Sequence, residues 1–283
     1  MIKHISGLLF LFTSCFAFSQ IPADEMRIVT AGGSITEIIY QLGFGNRVVG
    51  VDQSSTYPPE IKTAKSIGYW KQLNVEGVLS LRPTHFFTWK DAEPRIVLDQ
   101  LEKMKVQTIL LDRVPSSPEQ LFINIDRIAG VLGVADKGAE LIQSIKSKLD
   151  VISDKLAKQP KKPKVLFLFS VASGPAQVAG KNTVVDGIIR LSGGDNIATH
   201  QNYQTYGAEA FIAANPEVIV LTTQALSSLG GLDNLGRVSG ISQTNAWKNQ
   251  RIIHLDQAIL LGMGPRIAQA VEELYAGFYP QEE

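Results

Sequence analysis

Short apolar runs separated by longer mixed segments occupy the first part of the chain. Four such runs are four or five residues long and read as strands buried inside a sheet. Ser34 and Glu37 have the spacing of a capping box, which predicts a helix from Ser34 to Leu42. Strands that alternate with helices favour a mostly parallel sheet covered on both faces. The four predicted strands are 27–30, 48–51, 84–88 and 108–111.

A long amphipathic pattern separates this part from the rest of the chain. Between Asp136 and Gln159, apolar residues recur at steps of three and four, and Pro160 ends the pattern. Lysine and aspartate fill the opposite face, so the pattern predicts one long helix. Because it lies between two similar halves, we interpret it as a connector that spans both. A helix that belongs to one half is the alternative.

The alternation of strands and helices resumes after this helix. Residues 164–169 are continuously apolar and predict a fully buried strand. Residues 199–206 are mostly polar and predict a loop in front of a helix. Further strands are predicted at 218–221 and 251–255, and helices at 184–191, at 208–214 and from Pro265 to near Phe278.

Two sequence patterns occur once in each half, in the same order. Glu76 and Glu209 each stand seven residues before a proline, with a short apolar helix between and a strand after. Residues 37–43 and 186–192 form a second pair, and each is followed by a glycine turn. The shared order predicts two related α/β lobes. A cleft between two lobes is a favoured ligand site.

The composition is that of an ordinary globular protein without a strong charge. Of the 283 residues, 45% are apolar and 19% are charged, which is outside the range of disordered chains. The chain has 27 basic residues (lysine and arginine) and 27 acidic residues (aspartate and glutamate). This balance argues against nucleic acid as a partner.

The N-terminus has the layout of a secretory signal peptide. Lys3 precedes an apolar run from Leu8 to Phe18, and small residues precede Gln20 as at a cleavage site. We therefore predict a signal peptide at 1–19. Cys15 is the only cysteine and lies in a loose lipoprotein signal, which makes it a candidate lipid anchor.

Catalytic signatures are mostly absent from the chain. It contains no G-x-S-x-G nucleophile elbow and no closely spaced histidine pair of the kind that binds zinc. His85 and His254 fall within predicted strands, where a buried, hydrogen-bonded role is expected. His200 lies in the predicted loop and is a freer candidate for contact with a ligand.

The segment around Tyr69, Trp70 and Lys71 suggests a different chemistry. It precedes the helix that Glu76 opens, in a region where an α/β lobe presents loops to a cleft. Two adjacent aromatic residues beside a lysine are also compatible with simple packing. However, a phenolate is a hard anionic ligand for ferric iron, and tyrosine is a known axial ligand of haem.

The segments 68–73, 31–34, 246–251 and 262–266 resemble those of periplasmic haem-binding proteins, which supply bacterial haem ABC importers. The resemblance covers essentially all of the mature chain. It implies two Rossmann-like α/β lobes with mostly parallel sheets, joined by a single long α-helix, with the ligand cleft between them. The expected parts are an N-terminal lobe at 20–134, the connecting helix at 135–160 and a C-terminal lobe at 161–283. It further implies a monomeric, non-enzymatic protein of the periplasm.

The resemblance also implies roles for individual residues. Tyr69 matches the axial ligand of ferric haem, and Arg237 matches an arginine aimed at the tyrosine oxygen. Lys71 and Arg266 are the expected cations for the haem propionates, since carboxylates favour charge-assisted bonds. Some relatives add a histidine after the first strand of the second lobe; residues 170–173 contain none here. The expected cleft aromatics are Trp70, Trp89, Tyr203 and Tyr206.

Glu76 and Glu209 match acids that engage the two permease subunits in relatives. The expected partner is therefore an ABC permease dimer with its ATPase subunits. An acid at the start of a helix also has a simpler explanation, because the helix dipole favours it there. Two other functions stay open: binding of a ferric siderophore or cobalamin on the same fold, and an enzyme that uses a two-lobed cleft.

Overall fold

The computed structural model describes residue 22, residues 24–170 and residues 176–280. The predicted signal peptide and the candidate lipid anchor at Cys15 lie outside the described residues. Most of the turn after the first strand of the second lobe, at 171–175, lies outside them as well.

The first half of the chain forms a five-stranded sheet in which every neighbouring pair is parallel, in the order β3-β2-β1-β6-β7. All four predicted strands are present within one or two residues. The strands are β1 (Ile28–Ala31), β2 (Val48–Val51), β3 (Lys65–Ser66), β6 (His85–Trp89) and β7 (Gln107–Leu111), with a separate small hairpin of β4 (Gly68–Tyr69) and β5 (Gln72–Leu73). The helices are α1 (Gly33–Gln41), α2 (Val75–Ser80), α3 (Ile96–Lys103) and α4 (Pro118–Val131).

The second half forms a mixed sheet in the order β11-β9-β8-β12-β13, with β10 beside β8. β8, β12 and β13 run parallel, whereas β9 and β11 are antiparallel to their neighbours. The strands are β8 (Lys164–Ser170), β9 (Ala176–Ala179), β10 (Asp195–Asn196), β11 (Tyr203–Tyr206), β12 (Val218–Thr222) and β13 (Ile252–Leu255). The helices are α6 (Val184–Leu191), α7 (Ala208–Ala214), α8 (Thr223–Leu229), α9 (Leu232–Leu235), α10 (Asn245–Lys248), α11 (Gln257–Leu260) and α12 (Ile267–Phe278).

Helix α5 (Ala135–Leu156) leads from the first sheet to the second and is 22 residues long. Its partners are α4 of the first half and α12 at the end of the chain. Ile145 and Ile152 are buried on the side that makes these contacts, as the amphipathic pattern predicts. None of the helices among the described residues combines the length and apolar character needed to cross a membrane.

Two local predictions about helix and strand environments are wrong. Helix α1 begins at Gly33 and no side chain caps it, so Ser34 and Glu37 do not form a capping box. The Glu37 carboxylate is instead bonded to Arg266. The strand 164–169 is not buried throughout, because Phe169 is 38% exposed at its carboxyl end.

The two histidines in predicted strands differ in their exposure to solvent. His85 is buried in β6, contacts the Thr84 hydroxyl at 2.9 Å, and burial lowers its pKa, as expected for a structural histidine. His254 is exposed, and the prediction that it is buried is wrong. His254 is exposed because its strand, β13, is at the edge of the second sheet, where one side of the strand has no neighbouring strand.

Candidate functional site

A cavity of about 630 Å³ lies between the two halves and is lined by residues from both. This volume is in the usual range for small-molecule sites. First-lobe residues reach it from the carboxyl ends of parallel strands: Gly33 after β1, Gln53 after β2, Trp89 at the end of β6 and Arg113 after β7. This is the edge at which open α/β sheets bind ligands. We call this cavity the cleft.

Tyr69 lies in the hairpin of β4 and β5 and reaches the cleft from the first lobe. Gly68 makes this hairpin possible. Its φ is +91°, and a Cβ atom there would come within 2.6 Å of the Gln72 carbonyl oxygen. The Tyr69 side chain is 40% exposed, and its ring centroid lies 5.5 Å from that of Trp70. An accessible phenol therefore lies in the cleft.

The buried carboxylate of Asp52 holds this hairpin in place. It accepts hydrogen bonds from the backbone N–H of Gly32 at 3.0 Å and of Trp70 at 3.2 Å. The hydroxyls of Ser54 and Ser55 donate to it at 2.8–2.9 Å. Burial raises the pKa of Asp52, while the hydrogen bonds from Gly32, Ser54 and Ser55 act in the opposite direction. Asp52 thus ties the loops after β1 and β2 to the residue next to Tyr69.

Replacement of Asp52 by alanine is expected to lower the free energy of unfolding by about 2 kcal/mol or more, because several buried donors lose their acceptor. Asp91→Ala is the matched control in the same lobe, since the Asp91 carboxylate is bonded but half-exposed. We expect this control to cost less than about 1 kcal/mol. Urea unfolding of the two variants checks the difference, and equal losses would contradict the role given to Asp52.

Two positively charged side chains lie near the ring of Trp70, beside the cleft. The Arg113 guanidinium lies 5.1 Å from its ring centroid, and the Lys71 ammonium lies 4.8 Å from it. Arg113 is held by Asp91 at 2.8 Å, and Lys71 approaches Glu93 at 3.3 Å. Arg113 lines the cleft. Arg113 was not predicted as a site residue, although its position directly after a parallel strand is typical of residues that contact a ligand.

The opposite wall of the cleft comes from the second lobe. Tyr203 of β11 lines it, and its ring lies 4.8 Å from the ring of Phe169. Burial raises the pKa of Tyr203; the Arg113 charge lowers it, and ionised Tyr69 would raise it further. Tyr203 shares the lining of the cleft with Arg113 and Tyr69 of the first lobe. Residues 203–206 form an edge strand, so the prediction of a loop there is wrong.

His200 and Tyr206 are not among the residues that line the cleft. Their rings lie 5.5 Å apart, and Tyr206 also packs edge-on against Phe211 at 5.5 Å. Both therefore belong to an aromatic cluster within the second lobe. Of the four expected cleft aromatics, Trp70, Trp89 and Tyr203 line the cleft and Tyr206 does not.

The two predicted arginines also lie away from the cleft lining. Arg237 is exposed in the turn after α9. Arg266 precedes α12, and its guanidinium makes two hydrogen bonds with the Glu37 carboxylate of the first lobe, at 2.6 and 2.9 Å. The structure thus gives Arg266 a carboxylate partner within the protein.

Glu76 and Glu209 occupy equivalent places in the two halves. Each is the second residue of a short helix, α2 or α7, that leads into the strand next to the first strand of its sheet. Both side chains are exposed, and neither takes part in an ion pair with the described residues. Within the part of the chain that the structure describes, no three histidine, cysteine or acidic residues are grouped to hold a metal ion.

Two α/β lobes with a ligand-sized cleft between them form the architecture of a solute-binding protein. The chain belongs to the periplasmic binding protein family, whose sequence model matches residues 28–259. The family and the proteins compared below are substrate-binding transport proteins, not enzymes. The interpretation as a binding protein without covalent chemistry is therefore confirmed.

Solved structures similar to this one are periplasmic haem-binding proteins. RhuT from Roseiflexus sp. RS-1, in its apo form, is 38% identical with a TM-score of 0.85; the match covers 90% of this chain and 98% of RhuT. BhuT in complex with two hemes is 31% identical, also with a TM-score of 0.85, over 89% of this chain and 97% of BhuT. These comparisons confirm the resemblance on which the fold prediction rests.

Curated relatives give a wider range of descriptions. An uncharacterised ABC transporter substrate-binding lipoprotein, YvrC of Bacillus subtilis, is 29% identical over 92% of this chain and 82% of its own length. A vitamin B12-binding protein of Photorhabdus laumondii is 23% identical over 94% of this chain and 92% of its own length. The family is thus established, while its members differ in ligand.

Proposed function

We propose that this protein binds haem in the cleft through the Tyr69 phenolate and delivers it to an ABC permease. The observation that carries the proposal is an exposed phenol in a cleft walled by aromatic rings from both lobes. A porphyrin is a large flat apolar ligand, and Trp70, Phe169 and Tyr203 offer ring faces for it to pack against. The haem-binding solved neighbours support the same ligand.

The proposed iron bond requires a phenolate. A free tyrosine ionises near pH 10, so binding at neutral pH depends on stabilisation by the iron and by a nearby cation. Arg113 is the cation that lines the cleft with Tyr69. Lys71 and Arg113 are also the proposed partners of the propionates, because their ion pairs are partly exposed and can be exchanged for a ligand carboxylate.

Arg113→Ala is expected to weaken haem binding about tenfold, the size of one lost charge-assisted contact. Arg237→Ala is the matched variant, since it removes the same side chain outside the cleft lining. Fluorescence quenching by haemin measures both affinities. A larger loss in Arg237→Ala would restore Arg237 as the partner of the phenolate and remove Arg113 from that role.

A cobalamin ligand is the second candidate, and the vitamin B12-binding relatives favour it. Cobalamin, like a ferric siderophore, brings its own metal ligands and needs no phenolate from the protein. Titration of the purified protein with haemin, cyanocobalamin and a ferric siderophore separates the candidates. We expect a saturable haem Soret band and no binding of the other two; tight binding of cyanocobalamin without a haem spectrum would reject the proposal.

Delivery to a permease completes the proposed function. Glu76 and Glu209 are the proposed contacts for the two permease subunits, because two related lobes present them as an approximate pair that suits a two-fold partner. The protein is proposed to act as a periplasmic monomer after removal of 1–19. Attachment through Cys15 is the alternative form, and a curated relative is described as a lipoprotein.

A further inference from the structure

One ion pair joins the two lobes directly. Arg266 donates through Nε to Glu37 Oε2 at 2.9 Å and through a terminal nitrogen to Oε1 at 2.6 Å. The two residues are 229 positions apart, with Glu37 on α1 of the first lobe and Arg266 just before α12. The other ion pairs of the described residues each lie within one half of the chain. This pair is therefore placed to control how the lobes sit against each other.

The contact is buried and has close neighbours from both lobes. The side chains of Glu37 and Arg266 are only 5% and 17% exposed. The ring of Tyr57, from the first lobe, lies 3.7 Å from the Arg266 guanidinium carbon. A Cβ atom at Gly264 would come within 3.0 Å of the Ser34 Cβ, so the backbone before Arg266 lies close against the start of α1.

The contact adjoins the lining of the cleft. Ser34 and Glu37 line it from the first lobe, and Gly262 and Met263 line it from the second. Any change in the distance between α1 and residues 262–266 therefore changes the width of the cleft. A buried pair with two hydrogen bonds resists such a change more strongly than an exposed one, because separation would leave both charges without a partner.

We propose that Glu37 and Arg266 are positioning residues that latch the lobes together and set the width of the ligand cleft. The pair holds the wall that carries Tyr69 at a fixed distance from the wall that carries Tyr203, and so controls how long a ligand is retained. The part that concerns haem rests on the proposed function. The part that concerns lobe geometry does not.

Interlobe distances test the latch without any ligand. Spin labels at Lys103→Cys and Ser242→Cys, which are exposed on α3 and in the second lobe, report the separation by pulsed electron resonance. We expect the Glu37→Gln/Arg266→Gln double variant to broaden the distance distribution. Because both charges are removed together, neither is left buried without a partner. The double variant therefore avoids the destabilisation that replacement of only one residue would cause. Tyr57→Leu is a milder second variant, expected to broaden it less.

Haem release gives the second measurement. Loss of the latch is expected to increase the rate of haemin transfer to apomyoglobin about tenfold while the Soret band of the complex stays unchanged, because Tyr69 still holds the iron. Lys161→Gln is the control, since it removes an exposed ion pair inside one lobe. An unchanged distance distribution in the folded double variant and in Tyr57→Leu would overturn the latch. Failure of the haem proposal would instead appear as an absent Soret band in the wild type.

Discussion

Tyr69→Phe is expected to reduce haem affinity at least about 100-fold, equivalent to about 2.7 kcal/mol. The substitution removes only the oxygen that is proposed to bind iron and keeps the ring beside Trp70. The remaining complex would depend on packing against the aromatic walls, so its absorption spectrum should lose the features of a tyrosinate-bound ferric haem. Haemin titration monitored at the Soret band measures both the affinity and the spectral change.

Tyr206→Phe is the matched control for this prediction. It deletes the same oxygen from a tyrosine of the second lobe that packs against Phe211 outside the cleft lining. We expect its affinity and spectrum to match those of the wild type. Equal effects of the two substitutions would mean that loss of a phenol oxygen acts through folding and not through the iron.

Reversal of both exposed acids, Glu76→Lys with Glu209→Lys, is expected to reduce haem uptake about tenfold or more. When the charge on one partner is reversed, the two proteins lose the electrostatic attraction that brings them together and orients them. Haem binding should be unaffected, because neither residue lines the cleft. Growth on haemin as the only iron source, in cells that carry the variant as their single copy, measures uptake; a titration of the purified variant measures binding.

The control must carry the same change of charge elsewhere on the surface. Glu140→Lys with Glu272→Lys meets this requirement, since both residues are exposed, on α5 and α12. This variant is expected to support normal uptake. Loss of haem binding in the Glu76 and Glu209 variant would instead indicate that these acids stabilise the starts of α2 and α7.

Periodicity was sufficient to predict most of the architecture. The apolar runs of β1, β2, β6, β8 and β12 are mostly buried and pair in parallel with a neighbouring strand, where both faces of the sheet are covered and most of the run must be apolar. The long helix was equally predictable, because its apolar face meets α4 and α12 at the spacing of a helix.

Strands at a sheet edge were harder to predict. Residues 203–206 have two polar side chains between two tyrosines and pair on one side with β9, so their composition resembles that of a loop. The same cause explains His254, which is exposed on the edge strand β13. In both cases the environment is set by the position of the strand in the sheet, which a single sequence does not specify.

The site could be predicted only in part, for a related reason. Tyr69 and Trp70 were identifiable because segment 68–73 resembles that of haem-binding proteins and both residues belong to one local hairpin. The roles of Arg113 and Arg266 depend on partners distant in sequence: Arg113 bonds Asp91, and Arg266 bonds Glu37 in the other lobe. The sequence identifies a residue as basic. It does not identify the carboxylate that this residue contacts in the folded protein.

A crystal structure of the protein with bound haem would show directly whether Tyr69 binds the iron. We expect one porphyrin face to lie against the first lobe, with the Tyr69 oxygen at bonding distance from the iron. An iron atom coordinated by another side chain, or a Tyr69 oxygen turned away from it, would rule out the proposed iron bond.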